Sequence, residues 1–201
     1  MRFDGNRDGV RPLLLRQFLF QGDRTKTIVL LIIPLLLSCA GGGKESVLYY
    51  PNGEKKEEGI LMYGRKDGEW TWWHNNGAVR GRASYSRGRK DGATVWYYEN
   101  GGKEREGEFS NDRLHGLWVF WYENGNRRSE ASYHRGILDG QYSTWFPHGV
   151  KKKQGDYDNG KRGGEWILWN EDGKMLRKDI YRDGHPEKSI LLDDLPDSSY
   201  R

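Results

Sequence analysis

Hydrophobic positions along the chain fall into two regimes. Residues 28–37 (IVLLIIPLLL) form one uninterrupted apolar run. From residue 47 onward the apolar residues come in short stretches rich in Trp, Tyr, Thr and Val, alternate with polar ones, and are cut by Gly. Residues 47–50 (VLYY), 69–74 (EWTWWH) and 117–122 (LWVFWY) are examples. Their composition predicts strands of about six to nine residues. Helix is disfavoured, because Gly interrupts each stretch before three turns could form.

The interruptions are periodic. Gly53, Gly77, Gly101, Gly125, Gly149 and Gly173 stand 24 residues apart. Gly68, Gly92, Gly116, Gly140 and Gly164 form a second column with the same period. Gly64, Gly88, Gly136, Gly160 and Gly184 form a third, with Asp112 filling its gap. Aromatics repeat in phase at Trp73, Tyr97, Trp121, Trp145 and Trp169, and again at Tyr85, Phe109, Tyr133, Tyr157 and Tyr181. Two residues before this last column lies a small one: Gly59, Ala83, Gly107, Ala131 and Gly155. Shared periodicity in independent columns identifies a repeat array.

Two turns per unit are expected. The first is Asn-Gly at residues 52–53, 76–77, 100–101 and 124–125, replaced by His148-Gly149 and Asp172-Gly173. The second is placed at Asp67-Gly68, Asp91-Gly92, His115-Gly116, Asp139-Gly140 and Gly163-Gly164. Such dipeptides suit type I′ turns, whose two central residues both need positive φ. The predicted fold is therefore all-β: an elongated antiparallel meander of five to six 24-residue hairpin repeats, about 12 strands, roughly 55 Å long at about 4.8 Å per strand. Each unit is stabilised mainly by its neighbours.

Alternation along residues 69–74 puts Trp70 and Trp72 on one face and Thr71 and Trp73 on the other. Both faces carry rings, and the small column leaves room for rings of adjacent strands. A thin sheet covered by aromatics is the expected core, since each ring buries about 150–250 Å². The column Trp73, Tyr97, Trp121, Trp145 and Trp169 has two readings. It is either part of that core or a ligand surface of regularly spaced rings.

The apolar run at 28–37 is too short to span a membrane, which takes about 20 residues. Flanked by Arg24 and Lys26, it suits the core of a secretory signal. It ends in Leu36-Leu37-Ser38-Cys39, and Cys39 is the only cysteine. This resembles the lipobox of bacterial lipoproteins, which implies lipidation of Cys39 and removal of residues 1–38. The expected organisation is a leader at 1–38, a flexible tether at 39–46, the repeat array at 47–184 and a mobile tail at 185–201. No Asp follows Cys39; in the enterobacterial sorting pattern that favours the outer membrane over the inner.

The combination Trp121-Tyr122-Glu123-Asn124-Gly125, then Ala131, Tyr133, Gly136 and Gly140, resembles the MORN repeat in its bacterial variant form. The resemblance covers about residues 49–184. It implies a β-hairpin array used for binding or scaffolding rather than catalysis. Some members of that form are grouped as antitoxin-like, a role that an exported chain would not serve.

The net charge of +4 sharpens once it is located. Of the 33 basic and 29 acidic residues, six and three precede Cys39, leaving 27 against 26 and a net of +1. Basic residues interleave with acids, as in Lys103-Glu104-Arg105-Glu106, and Lys151-Lys152-Lys153 is the one short cluster. Nucleic acid is therefore not an expected partner. One cysteine excludes a disulfide framework. His74, His115, His134, His148 and His185 occupy five different phases, so no metal ladder and no cofactor is expected. Asp67, Asp91 and Asp139 form a column that reads as turn chemistry in preference to calcium binding.

The expected function is that of a lipid-anchored envelope protein, held in the membrane through Cys39 and presenting the sheet to a protein partner. The alternative is a cell-wall glycan- or choline-binding module that uses the Trp73–Trp169 column.

Overall fold

The computed structural model describes residues 42–191. They form one sheet of 13 antiparallel strands in sequence order, with no helix. The strands are β1 (Gly43–Tyr49), β2 (Lys55–Met62), β3 (Arg65–Trp73), β4 (Val79–Ser86), β5 (Arg89–Tyr97), β6 (Lys103–Ser110) and β7 (Arg113–Trp121). They continue as β8 (Arg127–His134), β9 (Ile137–Trp145), β10 (Lys151–Asp158), β11 (Lys161–Trp169), β12 (Met175–Arg182) and β13 (His185–Leu191). The all-β repeat meander expected from the period is the fold. The sheet begins at Gly43, inside the stretch read as a tether, and runs one strand past residue 184 into the stretch read as a mobile tail. Strand β13 pairs with β12 from Arg182↔His185 to Arg177↔Leu191.

One of the two turn assignments needs correction. The Asn-Gly turns stand where expected, but only the Gly has positive φ, for example 82° at Gly101. Gly101 N–H donates to Tyr98 O at 3.0 Å, and Tyr98 N–H to Gly102 O at 2.9 Å. This is a type I turn closed by a left-handed Gly, one of the common longer hairpin loops. The second turn is not at Asp-Gly. It lies at the third glycine column, where both central residues have positive φ: 51° and 87° at Arg87-Gly88, 49° and 65° at Asn111-Asp112. These are the type I′ turns.

Gly68, Gly92, Gly116, Gly140 and Gly164 sit inside strands, in β-bulges. In β7, residues 116–118 stand opposite the single residue Gly107 of β6. A bulge Gly with positive φ lets one strand carry extra residues and aim a side chain sideways. Here that side chain is Trp118, which lies flat over Gly107. Gly59 beneath Trp70 and Gly155 beneath Trp166 repeat the arrangement. In the alternate units Ala83 and Ala131 stand at the small position, and Thr94 and Tyr142 at the bulge position.

The core is this one layer of rings. Trp70, Trp118 and Trp166 are almost fully buried, with Ala83 and Ala131 beside them. Trp70 Nε1 donates to Ile60 O at 3.2 Å and Trp118 Nε1 to Glu108 O at 3.0 Å. Trp166 Nε1 has no acceptor among the described residues. The last unit places Asp179 in the small column, also buried, where Ser189 Oγ donates to it at 2.6 Å and Arg177 Nε lies 3.0 Å away.

Candidate ligand surfaces

Directly paired residues of neighbouring strands share a face. The register therefore traces a lateral row across the sheet: Glu57↔Trp72, Trp72↔Gly81, Gly81↔Trp96, Trp96↔Arg105, Arg105↔Phe120. It continues Phe120↔Ser129, Ser129↔Thr144, Thr144↔Lys153 and Lys153↔Leu168. Trp72 and Trp96 stack at 5.3 Å over Gly81, where a Cβ would meet the Trp96 ring at 2.5 Å. This is the ring face, shared with Trp70, Trp118 and Trp166.

Cations lie over these rings. Lys66 Nζ is 3.9 Å from the Trp70 centroid and donates to Glu57 Oε2 at 3.1 Å. Arg105 sits over Trp96 at 5.2 Å, and Arg162 over Trp166 at 4.7 Å. A cation above an aromatic face is favoured by about 0.5–2 kcal/mol, according to how far it is desolvated.

The row loses its rings at Ser129 and Thr144, and a trough of about 770 Å³ opens there. Ser129, Thr144 and Leu168 line it together with Tyr142 and Phe146. Three cations also line it: Arg128 over Phe120 at 5.5 Å, Lys152 over Phe146 at 5.2 Å, and Lys153 over Tyr142 at 5.3 Å. None of the three has a carboxylate within ion-pair distance among the described residues. Burial, then the charges of Arg162 and Lys152, hold the Lys153 ammonium below its usual range. A second groove, of about 530 Å³, opens beside Thr94 and is lined by Glu69, Glu106 and Glu108 as well as Arg82. The repeat carries a sign for the trough, the change from Trp72, Trp96 and Phe120 to Thr144 in one column. The convergence of Arg128, Lys152 and Lys153 there depends on the register.

Strand alternation turns the Trp73, Tyr97, Trp121, Trp145 and Trp169 column away from the Trp72 row, each ring half-buried, and Trp145 and Trp169 also contribute to the lining of the Thr144 trough. Lysines intervene: Lys55 over Trp73 at 5.5 Å, Lys103 over Trp121 at 5.4 Å, and Lys151 over Trp145 and Trp169 at 5.8 and 5.9 Å. Lys55 and Lys103 meet a carboxylate in their own strand, donating to Glu58 at 2.7 Å and to Glu106 at 2.6 Å, whereas Lys151 donates to the neutral Gln154 amide at 2.6 Å. The hydrogen bond that Lys55 donates to the Glu58 carboxylate is the main reason Lys55 titrates above its usual range. The carbonyls of the column are also in use. Tyr50, Tyr98 and Tyr122 hydroxyls donate to the oxygens of Trp73, Trp121 and Trp145 at 2.7–2.9 Å.

The Asp column stabilises turns. Asp67 Oδ2 accepts from Arg87 N–H at 2.9 Å, and Asp91 and Asp139 accept from Asn111 and Asn159 at 3.4 and 3.5 Å. No group of three metal-ligating side chains occurs among the described residues. His115 and His134, at different phases, meet across β7 and β8 with ring centroids 5.9 Å apart. Phase comparison misses such a pair, because cross-strand neighbours come from different columns. Gly53, Gly77, Gly101, Gly125, Gly149 and Gly173 all close Asn-Gly-type loops with φ of 82–94°. The leader and the first three residues of the tether, Cys39 among them, lie outside the described residues. No helix among those described is long and apolar enough to cross a membrane.

Residues 66–86, 90–111 and 114–135 match the family described as MORN repeat variant. The three matches fall on β3–β4, β5–β6 and β7–β8, the hairpin pairs joined by Asn-Gly loops. MORN repeats are generally protein- or membrane-interaction modules and are typically not enzymes. The third match contains Tyr122, Arg128 and Ser129 on one wall of the Thr144 trough, while Tyr142, Thr144, Phe146, Lys152, Lys153 and Leu168 lie beyond it. No curated protein matches the chain.

Proposed function

We propose that the chain is a non-catalytic, lipid-anchored protein of the bacterial cell envelope that presents its hairpin sheet as a scaffold for a protein partner. The observation that carries this reading is an open single-layer sheet with both faces accessible and the same chemistry returning every second strand, about 9.6 Å apart. Repeat surfaces of this kind suit extended, multivalent contact. The MORN match supports an interaction role. The anchor rests on sequence: a short apolar run at 28–37, then Cys39 as the one cysteine, at the position a lipobox requires. The absence of Asp after Cys39 supports the outer membrane.

Metabolic labelling with a radiolabelled fatty acid tests the anchor. The natural chain should carry label and pellet with membranes, and Cys39→Ala should lose both. Unchanged pelleting of Cys39→Ala would defeat the anchoring claim. Crosslinking in cells from an exposed position on each face, Leu117 and Arg80, tests the scaffold role. A discrete adduct from one face supports it, and none from either removes it.

A further inference from the structure

We propose that the trough at Thr144 is the docking site for an extended acidic segment of the partner protein, with carboxylates on Arg128, Lys152 and Lys153 and an apolar side chain over Thr144. The inference rests on the interaction role given above and adds where the partner binds and with what chemistry.

Charge complementarity selects the occupant. On the opposite face Lys55 and Lys103 are neutralised within their own strands by Glu58 and Glu106, whereas Lys151, on the same strand as Lys152 and Lys153, has only the neutral Gln154 amide as its hydrogen-bond partner among the described residues. On the ring face Lys66 is met by Glu57. At the trough Arg128, Lys152 and Lys153 have only ring faces beneath them. Arg162, on the next strand, adds a fourth positive charge, its guanidinium taken up by the Tyr181 hydroxyl at 2.8 Å. Glu171 is the one carboxylate on the lining, and it is exposed. An anion entering here relieves the repulsion that already disfavours the charged form of Lys153.

The walls set the second requirement. Tyr142, Phe146 and Leu168 offer apolar surface that a simple anion would leave unused, whereas the hydroxyls of Ser129 and Thr144 accept and donate at the floor. About 770 Å³ is the size of a cleft that takes several residues of peptide. A bilayer surface would meet the exposed rim and leave the recessed hydroxyls without a partner. The ligand therefore carries acidic and apolar groups on one extended chain.

The test uses the full chain in nonionic detergent and a fluorescent peptide, Glu-Leu-Glu-Phe-Glu-Leu-Glu. Saturable binding is expected, weakening as salt rises. The peptide with Gln for Glu should bind at least about tenfold more weakly. Lys152→Gln with Lys153→Gln should cause a similar loss. Thr144→Phe should block the trough without unfolding the sheet, because Phe120 already occupies the same column position opposite Arg105. Circular dichroism and the urea midpoint verify that it folds. Equal binding of the Gln peptide, or unchanged affinity in both variants, overturns the proposal. Saturable binding of phosphatidylglycerol-doped micelles that depends on Lys152 and Lys153, with none of the peptide, would reassign the trough to a lipid surface. Anchoring and the partner crosslink are read in cells, so either can fail while peptide binding stands, and the reverse.

Discussion

The indole of Trp118 lies so close over Gly107 that a Cβ added there would overlap the ring. The bulge at residues 116–118 creates this contact, and the same contact recurs at Gly59–Trp70 and Gly155–Trp166. Gly107→Ala should therefore cost about 1–3 kcal/mol, the usual penalty of overpacking. The repeat itself supplies the rescue, because Ala131 stands at the same position where the bulge residue is Tyr142. Adding Trp118→Tyr to Gly107→Ala should recover a good part of the loss. Urea midpoints of the four chains in that cycle measure the coupling; purely additive costs would mean that the ring and the missing Cβ are independent.

The fold was legible because its determinants are local and repeated. Gly at 24-residue spacing and alternating aromatics specify hairpins wherever they occur. The second turn was misplaced because Asp67-Gly68 and a hairpin Asp-Gly are identical in sequence, and a bulge Gly needs positive φ as much as a turn Gly does. The true turn carries a weak signal, since Tyr63 and Arg87 are unusual residues for positive φ. Asp67 supports that conformation from the neighbouring hairpin by accepting from Arg87 N–H. The trough was half legible. A missing ring at Thr144 can be read from the column, whereas bringing Arg128 beside Lys153 requires the pairing of β8 with β9 and of β9 with β10.

Two tryptophans of the same phase differ in one hydrogen bond. Trp118 Nε1 donates to Glu108 O, and Trp166 Nε1 is buried without an acceptor. Replacing either by Phe removes similar apolar surface. Trp118→Phe also loses a bond worth about 1 kcal/mol, so Trp166→Phe should be milder by about that amount. Equal destabilisation of the two in urea would mean that Trp166 finds a water or another acceptor.

Burial raises the phenols of Tyr85, Tyr133 and Tyr142, with Asp112 adding to the first and Tyr157 to the other two. In the unfolded chain they ionise near 10.0, while the folded sheet keeps them neutral to higher pH. Their contribution is thus fully present below about pH 10 and declines as pH rises through the raised folded values. Lys153 works in the opposite sense. Its folded value is lowered from 10.5, so the sheet binds fewer protons than the unfolded chain, and stability gains as pH approaches 10.5. Three raised phenols, with the raised ammonium of Lys55 acting in the same sense, against the one lowered ammonium of Lys153 predict a net fall in the urea midpoint above pH 10. Tyr133→Phe with Tyr142→Phe should make that fall shallower; an unaltered slope would place the alkaline sensitivity elsewhere.

The Asn-Gly loops are tied to one another as well as to themselves. Asn100 Oδ1 accepts from Gly102 N–H at 2.8 Å, and its Nδ2 donates to Glu123 O in the next loop at 3.1 Å. Asn76, in an equivalent loop, accepts from Ala78 N–H at 3.0 Å, and its amide makes no cross-loop bond among the described residues. Neither Asn has positive φ, so backbone strain does not separate them. Asn76→Ala should cost about 0.5–1 kcal/mol and Asn100→Ala about 1–2 kcal/mol, each bond contributing in the usual exposed range. The difference has a second consequence in an array where units stabilise only their neighbours. Asn100→Ala should speed amide exchange at Gly125 and Asn126 in the adjoining loop, and Asn76→Ala should not. Equal exchange in the two variants would show that strand pairing alone couples the hairpins, with the side-chain ladder adding nothing between them.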